Sequence, residues 1–306
     1  MDLYLPIAEV SVNAPLLIAL GALVGFISGL FGIGGGFLMT PILVFLGIPP
    51  TVAVGSLANH VAASSVSSVA AYSRRRAVDF RMGAVLAAGG AIGSVIGVEL
   101  FRILRLLGQA DLVVAVSYLL FLGVIGGLML AESLGTILRH RRGQPAPPPR
   151  ERRPLWLYGL PLKVRFPRSR LYISVIPPLM LGAIVGVLSA VMGVGGGFIL
   201  VPAMIYILRM PAQVVVGTSL FQIIITTAIT GVLQAGRNQS VDIVLAVLLL
   251  IGGVIGAQLG ARASARFRAE ELRAVLALIV LLVGLQMGLG LFVRPEDPFV
   301  LMSGAG

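Results

Sequence analysis

The chain has 306 residues, of which 58% are hydrophobic and only 11% are charged. Soluble domains carry about 25% charged residues, so this composition excludes that class and predicts a polytopic membrane protein. The net charge of +11 comes from Arg residues in short loops, which favours a role in membrane orientation and excludes nucleic acid as the partner. The absence of Cys excludes disulfides, thiolate nucleophiles and Cys metal sites.

In chain order, the amino terminus lacks the basic region of a cleavable signal peptide, so none is expected. Two sets of five apolar segments follow, and they do not alternate as the strands of a β-barrel would. They lie at residues 14–31, 34–48, 52–72, 82–104 and 111–138, and at residues 171–192, 195–208, 214–235, 243–263 and 272–293. We therefore predict an all-α polytopic membrane protein.

The two sets are copies of one unit. Gly25–Pro41 reads GFISGLFGIGGGFLMTP and Gly186–Pro202 reads GVLSAVMGVGGGFILVP, at an offset of 161 residues. Residues 1–138 and 171–306 are thus the predicted repeats. Residues 139–170 are a linker whose Pro and Arg content favours an extended, polyproline II conformation.

Each repeat opens with segments that are too short for two crossings. The 32 residues of Pro15–Leu46 would give about 48 Å of helix, less than two passes through a core of about 30 Å. Each repeat is therefore expected to hold a short, tilted or re-entrant helical hairpin broken at the glycines, plus about three full spans. Whether residues 14–31 and 34–48 cross fully stays open.

The basic residues predict the orientation. A cytoplasmic linker places 19 of the 23 Lys and Arg residues on the cytoplasmic side of the membrane. We therefore expect the inner (plasma) membrane, with both termini outside. Each half then crosses an odd number of times, so the two repeats have inverted topology, as in many secondary transporters.

The glycine triplets are the first candidate site. They are Gly34, Gly35 and Gly36 in the first half, and Gly195, Gly196 and Gly197 in the second. A helix that starts after a triplet would direct its positive N-terminus into the protein, which suits an anion. The alternative is that the glycines only permit a tight turn and close packing.

A second shared block is VAVGSLANH (Val52–His60) against VVVGTSLFQ (Val214–Gln222). Its hydroxyls could cap a helix or donate to an anion. His60 is a candidate for substrate contact and for proton coupling, and the alternative is a neutral packing residue. The predicted substrate-binding residues of this block are Ser56, Asn59, His60, Thr218, Ser219 and Gln222.

A third shared block spaces glycines four residues apart. They are Gly89, Gly93 and Gly97, then Gly252, Gly256 and Gly260. Such a face predicts close helix packing, and a homodimer seam is the alternative. Asp79 and Asp242 precede these helices and are predicted to cap them.

Enzyme motifs are missing from the sequence. It contains no HExxH zinc motif, no GxSxG nucleophile elbow and no Walker lysine after the glycines. We therefore expect a protein that is not an enzyme and that uses no cofactor and no metal.

Three motifs carry a resemblance to a known family. GLFGIGGGFLMTPIL (Gly29–Leu43), MGVGGGFILVPAM (Met192–Met204) and VVGTSLFQ (Val215–Gln222) resemble the sulfite/organosulfonate exporter family, or TauE/SafE-type permeases. The resemblance implies transport of small anions, including sulfite, sulfoacetate, other sulfonates, thiosulfate and some organic acids. It also implies that the glycine motifs and adjacent hydroxyls lie at the centre. GSLANH in the first half departs from the more typical GTSLFQ.

The combined prediction is a secondary transporter of the inner membrane that works by alternating access. Its substrate is expected to be sulfite or an organosulfonate such as sulfoacetate, and its partners are that anion and the lipid bilayer. A passive anion channel and a non-transporting membrane scaffold of the same fold are the alternatives.

Overall fold

The computed structural model describes residues 2–141, 161–264, 275 and 277–285. Helices dominate these residues, and five of them are long and apolar enough to cross a membrane. The helices are α1 (Ala14–Phe31), α2 (Gly36–Phe45), α3 (Pro50–Arg74), α4 (Phe80–Leu106), α5 (Ala110–Arg141), α6 (Ile176–Met192), α7 (Gly197–Tyr206), α8 (Ala212–Leu233, continued by a π turn over Gln234–Asn238), α9 (Ile243–Ala263) and α10 (residues 277–285). The predicted all-α polytopic membrane class is confirmed.

Two β-hairpins, which the sequence analysis did not predict, stand in front of the first helix of each half. Strand β1 (Asp2–Leu5) pairs with β2 (Val10–Asn13), and β3 (Lys163–Phe166) pairs with β4 (Leu171–Ser174). The second hairpin replaces the extended conformation predicted for the end of the linker. Residues 142–160 of that linker lie outside the described part of the chain.

The two predicted aspartate caps are confirmed. Asp79 Oδ1 accepts a hydrogen bond from the Met82 N–H at 3.1 Å, at the start of α4. Asp242 Oδ1 accepts one from the Leu245 N–H at 3.1 Å, at the start of α9. Each cap satisfies an N–H group that has no partner within its helix, so both helices begin where the sequence predicts.

Glycine faces join the halves through two helix pairs. On α4, Gly89, Gly93 and Gly97 face backbone atoms of α6, and on α9, Gly252, Gly256 and Gly260 face backbone atoms of α1. At each of these six glycines, an added Cβ would lie within 3 Å of a carbonyl oxygen of the facing helix. Close packing is therefore confirmed, and helices of the same chain cover the faces that a dimer seam would need.

The contacts fix the direction of the helices. Residue numbers rise together along α1 and α9, where Gly252 faces Ile18 and Gly260 faces Phe26, so these helices are parallel. Helix α3 is also parallel to α9, since Ser56 bonds to Asp242 and Ser68 to Ala257.

The opposite set consists of α4, α6 and α8. Along α4 and α6 the facing residues also rise together, and Asp79 meets Thr218 while Ser94 meets Thr226 on α8. Helix α3 is antiparallel to α8, because Gly231 faces Asn59 whereas Leu220 belongs to the same buried cluster as Tyr72. The described helices α1, α3 and α9 therefore run one way, and α4, α6 and α8 run the other.

Helix α2 is the return leg between the parallel helices α1 and α3. Its 10 residues give about 15 Å, half of a hydrocarbon core of about 30 Å. Helix α7 has the same length and the same place in the second half. Both short helices are buried over most of their length, so protein surrounds the broken backbone as the membrane interior requires.

Candidate functional site

Two glycine loops each contain consecutive residues with a left-handed backbone conformation. Gly34 and Gly35 have φ angles of 84° and 71°, and Gly195 and Gly196 have φ angles of 79° and 77°. These left-handed conformations are strained for residues that carry a Cβ. Gly35 and Gly196 are the N-caps of α2 and α7, so each triplet turns the chain and starts a half-length helix.

The two loops cross each other backbone to backbone. A Cβ on Gly36 would lie 2.6 Å from the carbonyl oxygens of Gly193 and Val194, and a Cβ on Gly197 would lie 2.6 Å from the Ile33 carbonyl oxygen. Only a missing side chain permits this approach. The structure thus brings the two predicted triplets together, and α2 and α7 begin at the same point.

The surroundings of this crossing are apolar and buried. The rings of Phe37 and Phe198 stack with their centroids 5.6 Å apart and an interplanar angle of 13°. Val61 on α3 is the nearest side chain to Gly34 and to Gly195, and Ile223 on α8 lies close to both glycines. In such a region of low dielectric, the fixed dipoles of two helix N-termini act more strongly on an anion than they would in water.

Tyr118 on α5 is a residue of this crossing that the sequence analysis missed. Its hydroxyl donates to the Met192 carbonyl oxygen at 3.0 Å and lies 3.4 Å from the Gly36 carbonyl oxygen. Thr40 Oγ1 also donates to the Gly36 oxygen, at 3.1 Å. The only signal in the sequence was a Tyr within an aliphatic helix, and a Tyr hydroxyl that becomes buried usually has a hydrogen-bond partner.

Ser56 on α3 lies beside the start of α9, and Thr218 on α8 lies beside the start of α4. Ser56 Oγ accepts a hydrogen bond from the Asp242 N–H at 2.8 Å, and Thr218 Oγ1 accepts one from the Asp79 N–H at 2.9 Å. Both hydroxyls therefore join a helix of one half to a helix start in the other. Their role in a substrate site stays a prediction.

The same two aspartates anchor the β-hairpins. Asp79 Oδ2 accepts from the Ser169 N–H at 2.9 Å and from its hydroxyl at 2.6 Å. Asp242 Oδ2 accepts from the Ile7 N–H at 3.0 Å. Each end of the molecule thus holds one hairpin, one capping aspartate and one hydroxyl from the opposite half.

His60 and Gln222 occupy equivalent places in the two halves. The His60 ring lies against Gly253 of α9, and the Gln222 side chain lies against Gly90 of α4. The His60 Nδ1–H donates to the Leu249 carbonyl oxygen at 2.8 Å, because a carbonyl can only accept. The His60 Nε2 and both polar atoms of Gln222 have no partner among the described residues.

The side chains of His60 and Gln222 point toward α9 and α4 and not toward the glycine crossing. Val61 and Ile223, the next residues along each helix, are the ones that face the glycines. Ser219 reaches the first loop directly, since its Oγ donates to the Gly32 carbonyl oxygen at 2.8 Å. Asn59 is half-buried, with its Oδ1 beside Gly231.

The chain matches the family described as sulfite exporter TauE/SafE over residues 17–287. It is 29% identical to the "Probable membrane transporter protein YjnA" of Bacillus subtilis over 78% of this chain and 85% of that protein. It is 30% identical to a "Probable membrane transporter protein" of Xylella fastidiosa over 76% and 78% of the two chains.

The "Sulfite exporter TauE/SafE family protein 3" of Arabidopsis thaliana is 29% identical over 39% of this chain and 26% of its own length. No solved structure matches the chain. The family match covers most of the chain, including both glycine loops and all the helices that surround them. The chain therefore belongs to the sulfite exporter TauE/SafE family of membrane transporters.

Proposed function

We propose that this protein is a secondary transporter that moves sulfite or an organosulfonate such as sulfoacetate across the inner membrane by alternating access. The observation that carries the proposal is the crossing of the two glycine loops. There two half-length helices begin at one buried point, between helices of opposite direction. Discontinuous helices that meet at mid-membrane are the usual substrate site of secondary transporters.

The binding chemistry follows from the helix starts. At the starts of α2 and α7, some N–H groups already donate to loop oxygens, as the Gly36 N–H does to the Gly34 oxygen at 2.9 Å. The N–H groups of Phe37, Gly197 and Phe198 have no acceptor among the described residues, and each helix N-terminus carries a partial positive charge. The oxygens of a sulfonate or of sulfite accept such hydrogen bonds, and both compounds are anions at physiological pH. Backbone donors therefore suit a small oxyanion without a buried cation, whose desolvation would be costly.

The movement follows from how the halves are joined. We propose that residues 1–138 and 171–306 form two repeats of inverted topology, with residues 139–170 as a cytoplasmic linker. In support, α1 pairs with α9, and α4 pairs with α6, along glycine faces that cross between the halves. Side-chain-free faces permit small shifts of one helix along another. Such shifts would open the buried glycine crossing to one side of the membrane at a time.

A flux assay tests this function. The purified chain is placed in liposomes, and uptake of labelled sulfite, sulfoacetate, thiosulfate, taurine and lactate is measured against empty liposomes. We expect uptake of sulfite or sulfoacetate well above that of zwitterionic taurine, because helix N-termini favour net negative charge. Absence of flux for all five compounds would contradict transport and favour a scaffold.

A further inference from the structure

A second polar site lies between α3 and α9, at the end of the molecule where the predicted cytoplasmic arginines gather. It is a cavity of about 290 Å³ in a groove between the two helices. Its lining is polar and basic, and consists of Ser67, Ala70, Ala71, Arg74, Arg75, Gln258 and Arg262. None of these lining residues is acidic, so three guanidinium groups share one small space.

Part of this cluster is held in place by the protein. The Arg75 guanidinium donates to the carbonyl oxygens of Ala261 and Arg262, at 3.2 and 3.4 Å. These carbonyls belong to the last turn of α9, whose partial negative charge accounts for one cation. Arg74 and Arg262 are exposed side chains of the same cavity. Each lies in the last turn of its own helix, α3 or α9, so the partial negative charge there favours these two cations as well, but neither guanidinium forms a hydrogen bond or an ion pair among the described residues.

The duplicated fold supplies an internal control for this cluster. The third shared block matches Arg262 with Glu99, and Arg74–Arg76 precede Val78 and Asp79 as Arg237 precedes Val241 and Asp242. At the opposite end of the molecule, Arg237 forms an ion pair with Glu99. At the basic end, Arg262 therefore occupies the position that the neutralising carboxylate of Glu99 occupies at the opposite end. An external anion would supply the missing negative charge.

The groove opens onto the apolar outer surface. Val66 lies one turn before Ala70 on α3 and is 53% exposed, while Ile255 and Leu259 lie before Arg262 on α9 and are 58% and 52% exposed. In a membrane protein, such exposed apolar side chains face lipid tails. The alanines of α3 keep the space between this strip and the arginines free of bulky side chains.

We propose that the groove binds the phosphodiester headgroup of an anionic phospholipid, with the acyl chains lying along Val66, Ile255 and Leu259. Guanidinium groups bind phosphate oxygens in a bidentate fashion. Basic pockets between membrane helices on the cytoplasmic side are suited to anionic headgroups. A soluble anion would satisfy the arginines but would leave the adjoining apolar strip unused, and this favours the lipid.

Native mass spectrometry of the full chain in detergent tests the proposal, with phosphatidylglycerol titrated against phosphatidylcholine of the same acyl chains. The first variant is Arg262→Glu, which copies the ion pair of the opposite end and is therefore compatible with the fold. The second is Arg74→Gln combined with Arg262→Gln. The matched control is Arg102→Gln combined with Arg209→Gln, two exposed arginines outside the cavity.

We expect the wild type and the control to retain one phosphatidylglycerol more tightly than phosphatidylcholine. Either cavity variant should bind that lipid about tenfold more weakly. Inorganic phosphate and sulfite, added at millimolar concentration, should not displace it. Equal retention by all variants would overturn the proposal, and displacement by phosphate or sulfite would assign the cavity to a soluble anion instead. Neither outcome depends on whether the chain transports sulfite.

Discussion

At the scale of single residues, His60 is a buried position where the two halves differ in proton chemistry. Its partner by position, Gln222, has the same burial and faces the equivalent glycine, but an amide cannot gain a proton near neutral pH. The Nδ1–H of His60 is engaged by the Leu249 oxygen. Nε2 is therefore the atom that would gain and lose a proton in a coupled cycle.

We predict that His60→Gln, which makes the first half resemble the second, leaves anion flux within a few-fold of wild type but ends its coupling to protons. The measurement is proton movement in proteoliposomes, followed with a trapped pH-sensitive dye during sulfite uptake. Gln222→Asn is the control, since it changes the equivalent position without removing an ionisable group. Persistent proton movement in His60→Gln would exclude His60 as the coupling residue.

Some site residues could be predicted from sequence because their signal is local. Glycine triplets turn the chain through their own backbone, and Asp79 and Asp242 cap a helix three residues away, so a short motif contains the glycine turn and the cap. The partner of Ser56, in contrast, is 186 residues distant, and Tyr118 bonds to carbonyl groups of α2 and α6. Such partners are set by tertiary packing, which one sequence does not show.

At the scale of elements, the starts of α4 and α9 are the joints between the halves. Each start combines an aspartate cap, a hydroxyl from a helix of the other half and a β-hairpin held by the same aspartate. Loss of one hydrogen-bonding partner of a buried amide costs about 1–3 kcal/mol. The hydroxyls of Ser56 and Thr218 therefore stabilise the contact between repeats.

We predict that Ser56→Ala and Thr218→Ala each lower the free energy of unfolding by about 1 kcal/mol, and that the double variant shows the sum. The sum is expected because the two joints lie at opposite ends and share no contact. Thermal unfolding in detergent measures the effect, with Ser117→Ala on α5 as the control. Abolished flux with unchanged stability would instead place both hydroxyls at the anion.

Element prediction succeeded where hydrophobicity is sustained. The ten predicted apolar segments correspond to the ten helices among the described residues, because sustained apolar runs leave few alternatives in a membrane. The segment at residues 171–192 was wrong at its start, where Leu171–Ser174 forms β4 and the helix begins only at Ile176. The hairpins were missed because each strand has only four residues, too few for an alternating pattern to stand out. In β3, Phe166 alone is fully buried, and its contact appears only once the fold is assembled.

At the scale of the whole molecule, the two ends carry different charge. Arg75 and Arg262 meet at the end that holds the β3–β4 hairpin, whereas Arg102 and Arg237 surround Glu99 at the other end. The positive-inside bias predicts that the first end lies in the cytoplasm.

We predict that a cysteine at Gln109 reacts from outside, whereas a cysteine at Lys163 reacts only from the cytoplasm. The chain has no native Cys and both positions are exposed, so Gln109→Cys and Lys163→Cys give single, accessible thiols. The measurement is labelling of intact and permeabilised cells with a membrane-impermeant maleimide. Labelling of the Lys163→Cys variant in intact cells would reverse the assigned orientation.

The central claim is that a small anion binds where the two glycine loops cross and is carried by an alternating movement of the halves. Counterflow of labelled sulfite into liposomes preloaded with unlabelled sulfite tests it, with Gly36→Ala/Gly197→Ala as the site variant. The control is Gly123→Ala on α5, where an added Cβ meets no atom within 4 Å. Overpacking at the crossing costs about 1–3 kcal/mol and separates the loops.

We predict trans-stimulated sulfite uptake in the wild type and in Gly123→Ala, and its loss in the double variant at equal amounts of folded protein. Uptake without trans-stimulation in the wild type would contradict alternating access and indicate a channel. Full counterflow in Gly36→Ala/Gly197→Ala would contradict the glycine crossing as the anion site.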